Sequence, residues 1–404
     1  MIKRAIFSAI QRHLSAKEIT LITGPRQAGK TTILLQLKDE LEKQGKKVMD
    51  LNLDIEGDKQ YIASQDTLVG EIKRRLGPKG GYVFLDEIQR KENAGIFLKG
   101  LYDMRLPYKF VVTGSSSLEL KEKIHESLAG RKLVFELGTL SFKEFAIFRR
   151  KNNSGNASNR ELLNEYMRFG GYPRVVLEPT EEGKRRIMGE IYQSYLEKDL
   201  MPLIGANKTE AFIQLTRLMA DQIGRLVNFT ELSSTLDISS ATAKQYLWYL
   251  EKTFILRRVA PFFKNTRKEL TKTPLFYFLD LGLRNFSATT FGHSLSPATG
   301  GFLFQNFVYN ILRDMYADSA ATVHFWRTKD KAEVDFVVNR GTDTLPIEVK
   351  YRALETPEIP RSLQSFIAKY HPAVAYIVHT GKKFEVSMRS THGIFLPFDE
   401  IVKI

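Results

Sequence analysis

The chain has 404 residues, 43% of them hydrophobic, which is enough for about two to four domains with real cores. It contains no cysteine, which excludes disulfides, thiolate zinc sites and cysteine nucleophiles. No apolar run approaches the roughly 18 residues of a membrane span, and the start, Met1-Ile2-Lys3-Arg4, lacks the apolar core of a signal peptide, so a cytoplasmic protein without a membrane partner is expected. The net charge of +14 favours a polyanion partner over a merely solvated basic surface.

Residues 1 to about 150 alternate strand and helix patterns, the signature of an α/β domain built on a parallel sheet. The first apolar run, Ile19 to Ile22, leads into Gly24-Pro25-Arg26-Gln27-Ala28-Gly29-Lys30-Thr31-Thr32 and then into a helical pattern at Ile33, Leu34, Leu37 and Leu41. Two glycines with four residues between them, then Lys-Thr, between a strand and a helix, make a phosphate-binding loop. Glycines let backbone N–H groups turn around phosphate oxygens, and the helix N-terminus adds its positive dipole end. Lys30 is the residue to reach the outer phosphates, and the Thr31 hydroxyl the one to bind magnesium.

Downstream, Tyr82-Val83-Phe84-Leu85 is apolar throughout, as in a strand buried on both faces, and it ends in Asp86-Glu87. Adjacent carboxylates there need a cation and water, so Asp86 is expected to hold magnesium and Glu87 to polarise the attacking water. ATP with Mg²⁺ is the implied cofactor. The next strand, Phe110 to Thr113, runs into Gly114-Ser115-Ser116-Ser117, where Thr113 and Ser115 are the candidates to sense the outermost phosphate, a simple Ser-rich turn being the alternative. Arg131, before the strand Leu133 to Leu137, is weighed evenly as a surface arginine or as a finger in a neighbour's site, which would imply a homo-oligomer.

Lys151 to Asn159 is polar and reads as a mobile loop, and a helical segment over 160–208, interrupted by Gly170-Gly171-Tyr172-Pro173, reads as a lid. Over 209–286 the order is helix, helix, turn, helix, with Ser239 the expected N-cap of the last, and then two short strands: a winged helix. Lys244 and Gln245 lie near the start of its recognition helix, and Lys264, Arg267, Lys268 and Lys272 in its wing. Between Ile255 and Phe286 there are seven basic residues against two acidic ones, which suits phosphate contacts; winged helices that bind protein are the alternative. Over 287–404, a helix from Phe302 to Tyr316 precedes strands at Val323 to Arg327, Glu333 to Val338 and Leu345 to Lys350. A hairpin of the last two would set Asp335 beside Glu348, with Lys350 on the same face, a pair of carboxylates able to hold a divalent cation. An exposed charged strand is the bland reading of Glu348-Val349-Lys350.

These parts in this order resemble a prokaryotic family of AAA+-type P-loop ATPases. The resemblance is carried by the loop, Leu85 to Gln89, Thr113 to Ser117, Gly130-Arg131, Leu140 to Phe145 and Gly170 to Pro173, and it extends to a C-terminal winged helix and a PD-(D/E)xK nuclease-like domain with a restriction-endonuclease-like α/β fold. It implies that Pro173 lies against the adenine base and that Asp335, Glu348 and Lys350 are the nuclease-like residues. Gln305 stands where such folds carry an acidic metal ligand, and a neutral amide offsets no dication charge. The function expected is therefore an ATP-hydrolysing protein that binds duplex or branched DNA, four-way (Holliday) junctions being the favoured class by fold analogy. The alternatives are a nucleotide-dependent switch that binds protein partners and an active metal-dependent endonuclease.

Overall fold

A computed structural model describes residues 2, 4–115, 128–152, 157–205, 208–263, 273–388 and 390–404. Ser116, Ser117, Lys264, Arg267, Lys268 and Lys272 lie outside the described residues.

The N-terminal sheet consists of β1 (Ile19–Thr23), β2 (Val48–Asn52), β3 (Gly81–Asp86), β4 (Tyr108–Gly114) and β5 (Lys132–Glu136), all parallel, in the order β2-β3-β4-β1-β5. Helices cover both faces, which is why β1 and β4 are buried at every position. Alternation sends Leu21, Val83, Leu85 and Val112 to one core with α3 (Gln65–Leu76) and α4 (Ala94–Asp103), and Ile22, Phe84 and Val111 to another with α1 (Phe7–His13) and α2 (Lys30–Lys43). This is a P-loop NTPase α/β fold.

Next come α5 (Phe142–Asn152), α6 (Asn159–Phe169), α7 (Pro173–Leu177) and α8 (Glu181–Tyr195). The chain from α8 winds through one π turn, Leu196–Leu200, into a short helix, Met201–Ile204. Where a mobile loop is expected over Lys151 to Asn159, α5 extends to Asn152 and Ser158 caps α6 through a reciprocal box with Glu161. Helices α9 (Thr209–Asp221), α10 (Phe229–Thr235) and α11 (Ser240–Lys252) precede the antiparallel pair β6 (Leu256–Val259) and β7 (Leu275–Phe278). The Ser239 side chain accepts from Thr242 N at 3.0 Å, capping α11.

After α12 (Leu281–Ser287), α13 runs Pro297–Met315, starting five residues before the expected Phe302 because Ser296 caps it through Thr299 N. A six-stranded mixed sheet follows: β8 (Thr322–Arg327), β9 (Glu333–Asn339), β10 (Thr344–Val349), β11 (Val374–His379), β12 (Phe384–Met388) and β13 (Thr391–Pro397), in the order β12-β13-β11-β10-β9-β8. Strands β8, β9 and β10 are antiparallel, whereas β11 runs parallel to β10 after the crossover helix α14 (Arg361–Tyr370).

One core runs from Leu140 to Ile401 and joins the lid, the three-helix segment and one face of the C-terminal sheet, while the other face of that sheet packs with α14 in a second core. One close crossing is at Gly170, φ +74°: a Cβ there would stand 2.3 Å from Asp280 Oδ1 and 2.5 Å from Gly282 N. The Asp280 carboxylate, fully buried, accepts from Gly171 N at 2.8 Å and Leu283 N at 2.9 Å, and burial pushes its carboxyl above the usual range.

Candidate functional site: the phosphate loop and its neighbours

The loop leaves β1 at the carboxyl edge of the sheet, with positive φ at Gly24, Gln27 and Gly29. At Gly24 a Cβ would lie 2.0 Å from the Leu137 carbonyl, so glycine is obligatory where the loop passes β5. Helix α2 begins at Lys30 and aims its first N–H groups into the loop. Lys30 is 4% exposed, and its Nζ donates to two neutral carbonyls, Gly24 O at 3.1 Å and Pro25 O at 2.9 Å. Burial pulls the Lys30 ammonium below its ordinary pKa, opposed by the fields of Glu87, Asp199 and Asp86. A buried cation bonded only to carbonyls is a place for an anion.

Thr31 Oγ1 donates to Asp86 Oδ2 at 2.7 Å, and Thr113 Oγ1 donates to Asp86 Oδ1 while accepting from Glu87 N at 3.0 Å. Glu87 follows in a left-handed conformation, φ +58°, that turns it off the strand direction, and Gln89 Nε2 donates to its carboxylate. Gln89 Oε1 in turn accepts from Ser115 N at 3.1 Å. Lys30, Thr31, Asp86, Glu87, Thr113 and Ser115 thus share one edge. The donor set fits Mg²⁺-ATP: Thr31 and Asp86 present two hard oxygens side by side, and Lys30 and the loop amides supply the positive wall.

Two residues with no sequence signal also reach the loop. Arg26 Nε donates to Asp199 Oδ2 at 2.9 Å, bringing the π turn onto the loop across 173 positions. Burial raises the Asp199 carboxyl, with Arg26 opposing. Arg174 extends from α7 to Gln27 Oε1 at 2.8 Å and to Glu190 Oε2 at 2.9 Å. Its neighbour Pro173 is half-buried at the first position of α7, one residue from a loop contact. From behind, Arg4 ties the loop down: it donates to Ala28 O at 2.8 Å, Gly138 O at 2.8 Å and Glu144 Oε1 at 3.1 Å, and it is 8% exposed. Arg131 is not brought to this site. It precedes β5, at the opposite edge of the sheet, and pairs with Asp103 at 2.9 Å.

The second cluster lies on the C-terminal sheet. The register Ile347↔Phe336 sets Glu348 beside Asp335, and Asp335 Oδ2 accepts from Val349 N at 2.7 Å. Gln305, from α13, donates its amide to Asp335 Oδ1 at 2.7 Å, and Lys350 Nζ donates to Glu348 Oε1 at 2.7 Å. Glu348 is not on an exposed strand: it is 5% exposed. Burial, then the field of Glu348, lifts the Asp335 carboxyl well above its usual range. A dication has few free oxygens here. Three of the four carboxylate oxygens already accept from N–H donors, the fourth, Glu348 Oε2, is buried without a hydrogen-bond partner, and no three His, Cys, Asp or Glu side chains gather for a metal among the described residues.

Lys244 and Gln245 are exposed on α11. Lys244 lies over the Phe229 ring at 5.4 Å, and Gln245 donates to Tyr249. Trp248, 36% exposed, and Lys252 share the helix, Lys252 lying 5.4 Å from the Trp248 ring. No described helix is long and apolar enough to cross a membrane.

Residues 16–146 match the family described as AAA domain, which covers the sheet and loop above. Two domains of unknown function match the rest, DUF8612 over 160–293 and DUF4143 over 300–400. An uncharacterised protein of Mycobacterium tuberculosis is 27% identical over 405 residues, 99% of this chain and 84% of that one. One from Methanocaldococcus jannaschii is 28% identical over 367 residues, 86% and 78% of the two chains. Among solved structures, the replication initiator DnaA bound to AMPPCP and single-stranded DNA matches at TM-score 0.33 and 14% identity, over 62% of this chain and 90% of that one. A likeness that weak carries no argument about this chain.

Proposed function

We propose that the protein is an AAA+-type ATPase that binds DNA, the nucleotide controlling how its C-terminal two thirds hold the duplex or branched substrate. The observation that carries the ATPase reading is the junction of Thr31, Asp86 and Thr113, with Thr31 Oγ1 2.7 Å from Asp86, in front of buried Lys30. When bound, Mg²⁺ would supply charge neutralisation on the phosphates, held by Thr31 and Asp86. Glu87 takes a proton from the attacking water as its oxygen bonds to the terminal phosphorus and the bond to ADP breaks. Lys30 holds the phosphate oxygens, and Gln89 and Thr113 fix where Glu87 points. Phosphate release from ATP, lost in Lys30→Ala, tests this reading.

The DNA reading is supported by the +14 charge and by the exposed Lys244, Gln245 and Trp248 on α11, with the half-buried Lys252 beside them. A helix-helix-helix-hairpin order is that of a winged helix, and α13-β8-β9-β10-α14-β11 follows the order of nuclease-like domains. A panel of duplex, forked and four-way DNA titrated at several salt concentrations tests it; binding weakens steeply with salt if phosphate contacts dominate, more so than in a Lys264/Arg267/Lys268 triple alanine variant. A protein partner is the second reading, favoured by one contact: Arg257 of the hairpin is spent inside the molecule, on Glu136 at 3.1 Å. Pull-down that survives nuclease treatment and needs no DNA would establish it instead.

A further inference from the structure

The π turn Leu196–Leu200 faces two ways. Asp199 points its carboxylate at the phosphate loop and holds Arg26 Nε at 2.9 Å, while Leu196 and Leu200, on either side, are buried in the core shared with α9 and α11. One residue before the turn, the buried Tyr195 hydroxyl pairs with Thr253 Oγ1 at 2.8 Å, and Thr253, the C-cap of α11, donates back to Tyr249 O at 2.6 Å. A continuous set of contacts therefore leads from the loop arginine to the helix proposed to face DNA. π turns interrupt α-helices at a cost in hydrogen-bond geometry and recur at functional positions.

The charges at the loop explain what the turn is for. Arg26 and Lys30 are its two cations, and they face three carboxylates, Asp86, Glu87 and Asp199. Two of these have work to do at a magnesium ion and a water molecule. Asp199 has neither, and phosphates entering between Arg26 and Lys30 would meet it as a like charge in a buried site, where such repulsion is poorly screened. Phosphate oxygens and Asp199 compete for one guanidinium.

We propose that Asp199 is an internal competitor for the nucleotide: it holds Arg26 while the loop is empty, and phosphate binding displaces it, freeing the π turn and, through Tyr195 and Thr253, loosening the end of α11. The proposal rests on reading Gly24–Thr32 as a nucleotide site. Because a competitor lowers affinity and a ligand raises it, the sign of one substitution separates the two roles.

The experiment is a calorimetric titration of the full chain with a non-hydrolysable ATP analogue and magnesium. Asp199→Asn, nearly isosteric, is expected to bind about three- to tenfold more tightly than the unaltered chain, and the gain is expected to vanish in an Arg26→Ala background. Weaker or unchanged binding by Asp199→Asn overturns the competitor role while leaving the nucleotide site standing. Absence of binding by the unaltered chain, with Lys30→Ala no different, would sink both. Hydrogen exchange on the unaltered chain reads the same step without a substitution: amides of residues 196–204 exchange faster with the analogue bound, and protection there overturns the release.

Discussion

At the end of β3, Asp86 is held by two threonine hydroxyls; on β9, Asp335 is held by the Gln305 amide and the Val349 N–H. Each carboxylate has a second acid next to it and a lysine nearby. The difference is in the donors. A hydroxyl that donates to a carboxylate can turn and offer its lone pairs to a cation, so magnesium can enter between Thr31 and Asp86 without stranding a group. An amide NH₂, a backbone N–H and an ammonium only donate, and a cation that displaced the two on Asp335 would leave the Gln305 amide and the Val349 N–H buried and unpaired. The first site is built to receive charge, whereas the second is held mainly by its own donors, with Glu348 Oε2 left buried and unpartnered.

The sharpest way to break that contrast is at Glu87. Glu87→Gln keeps the shape and the Gln89 neighbourhood but cannot take a proton. Phosphate release is expected to fall by about 10²–10⁴-fold with analogue binding retained; equal loss of both would mean that Glu87 shapes the loop rather than acting on water. Second in size is the strap behind the loop. Arg4→Ala leaves Glu144 buried without its cation and the Ala28 and Gly138 carbonyls without a donor, a cost of about 3–5 kcal/mol in denaturant unfolding. An effect below about 1 kcal/mol would show that the strap is not coupled to the body. The third acts on the closed site. Gln305→Glu exchanges the donor facing Asp335 for a third carboxylate, and manganese near 100-fold above its Kd is then expected to stabilise the variant by about 2.7 kcal/mol while leaving the unaltered chain unmoved, read by thermal unfolding. Equal stabilisation of both would erase the distinction between the sites.

The two sites also differ in how far the sequence reveals them. The phosphate loop is local: nine consecutive residues between an apolar run and a helical period specify it, and the strand ending in Asp86-Glu87 is legible for the same reason. The Asp335–Glu348 neighbourhood follows from hairpin register, which strand alternation conveys. Burial of Glu348 does not, because it depends on α13 and α14 covering a sheet from outside the motif. Asp199 and Glu144 are bound to Arg26 and Arg4 across 173 and 140 residues; Asp199 stands in no pattern that a period or a spacing could expose, and the motif that holds Glu144 does not name its partner. Arg131 is the instructive opposite. It precedes a parallel strand, whereas the loop follows one, so connectivity alone sets it at the far edge of the sheet.

The smallest expected effect tests the path from the open site to α11, the helix proposed to face DNA. Helix α11 is held at one end by the Ser239 cap and at the other by Thr253 with Tyr195. Ser239→Ala removes the acceptor for Thr242 N and should cost about 1 kcal/mol. Tyr195→Phe removes only the hydroxyl, and since Thr253 keeps its bond to the Tyr249 carbonyl, the stability cost should be of the same order, about 1 kcal/mol. The two differ in what they do to coupling. If nucleotide reaches α11 through the π turn, Ser239→Ala lowers DNA affinity equally with and without the ATP analogue, whereas Tyr195→Phe reduces the difference between the two conditions. Parallel losses in both variants would mean that α11 responds to stability alone, and that the open site and α11 are joined by the shared core rather than by this contact.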